Sequence, residues 1–165
     1  MKNEETMTSR KDAIRQRILA DHAASMQIFN TLSPEQWDKP APSDEGALWK
    51  ARDVLAHLAV SEGGHLSQIN RCLAGEKPVP DDFDLTRFNR RSVQKQADKA
   101  VADMLREIET AHAQVLDLLD KVAEADFDKS GRHARGDVIT VEQFFIRTTE
   151  HRRQHAEELL RAVGG

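Results

Sequence analysis

Cysteine is nearly missing from this chain, and a single residue, Cys72, can form neither an intramolecular disulfide nor a cysteine-based zinc knuckle. Tyrosine is absent, aromatics make up 5% of residues, and no segment alternates apolar with polar side chains over strand length, which argues against a sheet. No stretch approaches the roughly 20 apolar residues needed to cross a bilayer, so no membrane partner is expected. A basic excess is lacking too. The formal net charge is -4, and a nucleic-acid binder should gather Lys and Arg on one face. The short cluster Arg87, Arg90 and Arg91 reads as the solvated start of a helix, so no nucleic acid is expected. Residues 1–11 are polar and charged, unlike a signal peptide, and a reducing, cytoplasmic location is the expectation.

What the chain does have is helical periodicity. Its 165 residues suit one domain over 1–165 with one core, and the apolar and charged fractions (39% and 32%) are ordinary for a globular protein. Residues 9–32 carry Ile14, Ile18, His22, Ser25, Phe29 and Leu32 along one stripe. Ser33-Pro34-Glu35-Gln36 opens a short second turn as a capping box, stopped by Pro40 and Pro42. Residues 50–74 form the next long helix, ended by Gly75, Pro78 and Pro80. Residues 86–122 read as one long helix, followed by a polar loop containing Gly131, His133 and Gly136. Thr140-Val141-Glu142-Gln143 is another capping box and starts a last helix to residue 163, where Gly164 and Gly165 end the chain. Four amphipathic helices in one all-α domain predict a four-helix bundle.

His151 and His155 carry the sharpest chemistry. Four residues apart, they project from one side of a helix, one turn apart, and two imidazoles so placed can meet one ion at about 2.0–2.1 Å. They also continue the stripe Val141, Phe144, Phe145, Thr148 and Leu159, which points them inward. The plain alternative is a pair of hydrogen-bonded core histidines. A zincin protease is disfavoured, because Arg152 stands where its general-base Glu would follow the first His. A third ligand must come from another helix, and periodicity does not choose between His57 and His65. His22 and His112 read best as packed core histidines. Glu62…His65 and Glu109…His112 match the Glu-x-x-His spacing of di-iron bundles, but the remaining carboxylates that such a site needs are missing.

Leu48-Trp49-Lys50-Ala51-Arg52-Asp53-Val54-Leu55-Ala56-His57-Leu58 resembles the second-helix signature of the DinB-like superfamily. Glu150-His151-Arg152-Arg153-Gln154-His155-Ala156-Glu157-Glu158-Leu159 resembles its final helix. Phe83-Asp84-Leu85-Thr86-Arg87-Phe88-Asn89-Arg90-Arg91 and Gly131-Arg132-His133 are similar to segments common among its bacterial members. The resemblance implies a four-helix bundle with a three-histidine metal site made of His57, His151 and His155, with His57 chosen over His65. Trp49 would anchor the start of the second long helix. Asp53 would either orient His57 or sit exposed at the helix N-terminus.

Three neutral imidazoles leave an ion with an open position, suited to lowering the pKa of bound water to about 7 or to activating a thiolate. Zinc or nickel is the leading expectation for the divalent metal ion, with iron or manganese behind. Similar proteins include thiol-dependent transferases and metal-dependent hydrolases, so a small-molecule substrate and a low-molecular-weight thiol cosubstrate are expected. Glu62 is the expected general base, with Glu158 second. Arg152 and Arg153 read as a solvated basic face. A homodimer is expected from similar proteins. The rival expectation is a non-catalytic metal-binding, stress-response bundle that acts through a protein partner.

Overall fold

The computed structural model describes residues 8–43 and 46–164. Residues 1–7, within the segment read as unlike a signal peptide, and Gly165 of the closing glycine pair lie outside the described residues. Four long helices dominate: α1 (Arg10–Thr31), α3 (Ala51–Leu73), α5 (Val101–Lys121) and α6 (Val141–Val163). Helix α1 packs along α6, and α3 packs along α5 and against α6. The bundle is therefore four-helical, as expected. Two shorter α-helices, α2 (Pro34–Trp37) and α4 (Leu85–Lys95), and a 3-10 helix (Glu124–Asp128) complete the helical set among the described residues. No helix among them is long and apolar enough to cross a membrane.

The helix starts follow from sequence-local chemistry. Ser9 Oγ accepts from the Asp12 N–H, and Ser33 and Thr140 each close a full capping box with Gln36 and Gln143. Asp53 takes the helix-start role left open for it: its Oδ2 accepts from the Lys50 N–H at 2.9 Å.

Two expectations need correction. The helix expected over residues 86–122 is two helices, α4 and α5, separated by a turn at residues 96–100. At 1.5 Å per residue, one helix over that span would run about 55 Å, against about 35 Å for its neighbour α3. Its overhanging end would have found no partner for its apolar residues. The turn is held instead by Arg52, whose guanidinium donates to the carbonyls of Ala97 (3.4 Å) and Lys99 (2.6 Å). The second correction concerns strands. Two small antiparallel ribbons exist, β1 (Pro40–Ala41) with β2 (Trp49–Lys50), and β3 (Ser130–Arg132) with β4 (Val138–Thr140). Ladders of two or three residues are too short to leave an alternating pattern in the sequence.

The hydrophobic core comes in two parts. One cluster gathers Phe29, Trp37, Leu55, Met104, Ile108 and Leu159. The other gathers Ile18, Ile69, Leu119, Phe127, Phe144 and Phe145. Between these levels on the same helices lies a buried or half-buried polar layer: His22 on α1, Glu62 and His65 on α3, His112 on α5, and Arg152 on α6. Beside this layer His57 on α3 and His151 and His155 on α6 converge.

Candidate metal centre

His151 and His155 stand one turn apart on α6 because the capping box at Thr140 fixes where that helix begins, and Phe144, Phe145 and Leu159 face it inward. Their Nε2 atoms are 3.0 Å apart. His57 joins from α3, with ring centroids 5.4 Å from His151 and 5.5 Å from His155. One donor atom from each of the three lies within 4.8 Å of the others. Two nitrogens each about 2.0–2.1 Å from one ion, at angles between a right angle and tetrahedral, would be about 2.9–3.4 Å apart. The 3.0 Å separation of the His151 and His155 nitrogens falls in that range, and three imidazoles suit a divalent ion in chemistry, with His57 the third donor within 4.8 Å.

The surroundings favour a neutral His151 ring, the form that binds metal. Burial, then the neighbouring His155, His65 and His57, hold His151 well below its ordinary pKa. Glu158 Oε2 lies 3.3 Å from His155 Nδ1, so its charge favours a proton on Nδ1 and leaves Nε2 for an ion. Trp49, at the mouth of α3, packs its ring 5.7 Å from that of His57. The expected anchoring residue thus touches the site directly.

His65 is turned to another partner. The β3–β4 hairpin closes through Gly136, whose φ of 101° suits glycine, with the His133 N–H donating to the Asp137 carbonyl at 2.8 Å. That turn carries His133 over α3. The Arg135 backbone N–H donates to His133 Nδ1 at 3.1 Å, which assigns the His133 proton to Nε2. His133 Nε2 then donates to His65 Nε2 across 3.2 Å. Burial, then His133, pushes His65 down to about 3; burial, then Arg147, pushes His133 down to about 4. Both rings are neutral and hold one another, so His65 stays beside the triad, its ring centroid 6.0 Å from that of His151, with its Nε2 turned to His133.

Glu62 goes elsewhere. It is 2% exposed and pairs with the fully buried Arg152, Nε to Oε1 at 2.8 Å. Burial pushes its carboxyl upward from the ordinary range, and Arg152 opposes that shift. Arg152 also reaches His22 Nδ1, and His22 stacks on His112 with ring centroids 3.6 Å apart. His22 and His112 are thus packed core histidines, as expected. Arg152 corrects the reading of a solvated basic face: at 0% exposure it is the largest fully buried side chain among the described residues. Arg153 does lie outward, paired with Glu157 and Asp21. The two Glu-x-x-His motifs do not converge, since Glu62 meets Arg152 while Glu109 meets His22 at 3.1 Å.

A cavity of about 260 Å³ opens beside the triad. His57, His151 and His133 line one end, while Val79, Phe83 and Phe88 contribute an apolar wall. Glu62 is not among its lining residues. Sequence reasoning gave His133 no role. The signal was the Gly131-Arg132-His133 stretch followed by Gly136, a hairpin tip long enough to reach α3.

Comparison with known proteins bears on this arrangement. The family model described as DinB superfamily matches residues 17–159, a span that includes all three converging histidines. The chain belongs to the DinB superfamily. Among solved structures, this DinB chain is similar to YfiT from Bacillus subtilis, described as a probable metal-dependent hydrolase with an unusual four-helix bundle topology. The two are 23% identical, with 99% of this chain and 94% of that one covered, at a TM-score of 0.70. It is also similar to the mycothiol-dependent maleylpyruvate isomerase (12% identity, 88% and 60% covered, TM-score 0.69). The colibactin self-resistance protein ClbS, solved with double-stranded DNA, shares the fold as well (11% identity, 92% and 94% covered, TM-score 0.73). No curated protein matches. At these identities the solved DinB relatives establish the fold.

Proposed function

We propose that this protein is a divalent-metal-dependent enzyme that acts on a small molecule bound in the cavity beside His57 and His151, by hydrolysis or by transfer of a low-molecular-weight thiol. The observation that carries this reading is the convergence of three imidazole nitrogens within 4.8 Å at one end of a cavity. His57, His151 and His155 would hold the ion, zinc or nickel foremost, with Glu158 directing the His155 ring. A divalent ion there supplies Lewis acidity, which makes hydroxide or thiolate accessible near neutral pH.

The chain's own residues do the remaining work. The hairpin tip at His133 and the apolar side chains of Val79, Phe83 and Phe88 enclose the reacting group and limit its water. His133, which lines the cavity and is held by His65, is neutral, so it does not compete with the ion. A non-catalytic metal-binding bundle has no need of a cavity that reaches two of three ligands, and this favours the enzyme. The relative ClbS was solved with DNA, but the net charge of -4 supports a small-molecule role here.

The decisive experiment begins with protein purified without a nickel column and analysed for bound metal by plasma mass spectrometry. Wild type should retain a divalent ion that His57→Ala, His151→Ala and His155→Ala each lose while keeping helical circular dichroism. Metal-loaded and stripped protein are then compared with glutathione, bacillithiol, mycothiol and coenzyme A against electrophilic acceptors, and with simple esters and amides. Wild type that takes up no metal, or turnover indifferent to stripping, would sink the proposal.

A further inference from the structure

We infer that the cavity's ligand is an elongated anion, whose carboxylate or comparable oxyanion groups meet Arg71 and Arg135 while its uncharged body lies along the apolar wall. This deepens the reading of the cavity as the substrate site and rests on it.

The shape comes first. His57, Ser61, Gly64, Gln68 and Arg71 all line the cavity, and their alternating spacing of four and three places them on one stripe of α3. From His57 to Arg71 the helix rises about 20 Å. Opposite that stripe stand Val79, Phe83, Leu85 and Phe88. The cavity therefore runs from the histidine triad along α3, and it suits a long molecule with an apolar flank better than a compact polar one.

Charge decides the class. Four arginines border this region, and two are already committed. Arg147 makes a bidentate pair with Asp137 (2.9 and 2.8 Å), and Arg132 donates to the carbonyls of Pro80 and Asp81 (3.3 and 3.2 Å). The guanidinium groups of Arg71 and Arg135 have no hydrogen bond or ion pair among the described residues, yet both line the cavity. No Asp or Glu lines it among those residues. Asp84 accepts from the Arg87 N–H and Asp81 pairs with Lys77, while the neighbouring cleft that Arg135 also borders holds Asp137, paired with Arg147, and Glu150, which lies 3.8 Å from Arg17. Arg135 also borders a neighbouring cleft through His151, so it stands between solvent and the triad.

The three converging imidazoles carry no charge to offset that of a divalent ion. Holding a divalent ion, the site as a whole would be cationic, with Arg135 bordering the cavity near His151 and Arg71 further along α3. Both guanidiniums are exposed, so with a neutral ligand only water would meet them. An anion would satisfy them with charge-assisted, bidentate hydrogen bonds.

The test uses full-length protein, both metal-stripped and zinc-loaded. Titration calorimetry compares octanoate and 3-phenylpropionate with octanamide and 3-phenylpropanamide, which match them in shape and lack the charge. In stripped protein at least one carboxylate should bind about tenfold more tightly than its amide, and this preference should shrink with added salt. Because a single carboxylate reaches only one end, at least one of Arg135→Gln and Arg71→Gln should weaken carboxylate binding several-fold, and both should leave amide binding unchanged and keep the zinc content of wild type. Amides binding as tightly as carboxylates would overturn the inference, as would variants indistinguishable from wild type. So would carboxylate binding that appears only with zinc and ignores the arginines, because the ion would then be the receptor. Failure of zinc uptake sinks the enzyme reading alone, since the arginine comparison is made without metal.

Discussion

Replacing Glu62 with Gln separates a structural carboxylate from a catalytic one. In the fold, Glu62 is the one acid paired with Arg152, a guanidinium with no exposure to solvent and with its Nη2 lacking any hydrogen bond. Glu62→Gln keeps the shape and one acceptor but leaves a buried positive charge uncompensated. Removing one partner of a buried pair costs about 3–5 kcal/mol, a large share of the roughly 5–15 kcal/mol that holds a typical domain together. For a chain of this size each kcal/mol moves the melting temperature by about 2–4 °C, so a fall of about 6–20 °C is expected. Urea and thermal unfolding of stripped protein measure it. The paired change Glu62→Leu with Arg152→Met should recover much of the loss, because a buried ion pair is often replaceable by apolar groups. Metal content should survive Glu62→Gln in whatever protein remains folded, since the three histidines are untouched. The reasoning fails if Glu62→Gln melts within about 2 °C of wild type yet loses turnover with its metal in place. Glu62 would then be the general base expected from the sequence, and Arg152 its modulator.

Other consequences follow from the same geometry. Glu158→Gln removes the charge beside His155 Nδ1 and should weaken zinc affinity about 10–100-fold, read by competition with a chromophoric chelator. Gly131→Ala would bring a Cβ to 2.6 Å from Pro78 Cγ and 3.3 Å from Cys72 Sγ. It should cost about 1–3 kcal/mol in urea unfolding and loosen the hairpin that carries His133. Burial, with Arg152 adding to it, lowers His22 from 6.5 to about 4, and burial, with His22 and Arg152 adding to it, lowers His112 from 6.5 to about 4. The unfolded chain therefore binds protons that the fold refuses between these values. Their contribution is fully present above about pH 6.5 and is lost as pH falls toward 4. Stripped His22→Gln/His112→Gln protein should show a shallower loss of stability across that window; an unchanged slope would refute the assignment.

The local elements were readable from the sequence because their causes are local. Ser33 and Thr140 cap helices through residues three positions on, and the four-residue spacing of His151 and His155 follows from helix geometry alone. Resemblance supplied His57, and the structure brings it to the other two. What sequence order could not express is which buried polar group meets which. Glu62 and Arg152 are 90 positions apart, and His65 and His133 are 68 apart. Both Arg152 and Glu62 have plausible meanings on a helical wheel, outward cation and inward base, that vanish once each is seen to neutralise the other.

The chain's own order of residues thus determined that there would be four long helices, where most of them start, and that two imidazoles would point inward from the last. Tertiary structure alone decided that the span over residues 86–122 must fold back as two helices, that His65 would be held by a hairpin tip, and that Glu62 would leave the cavity. The physical reason is range. Capping and periodicity act over three or four residues, whereas the cost of burying a charge is settled only by whichever distant group arrives to meet it.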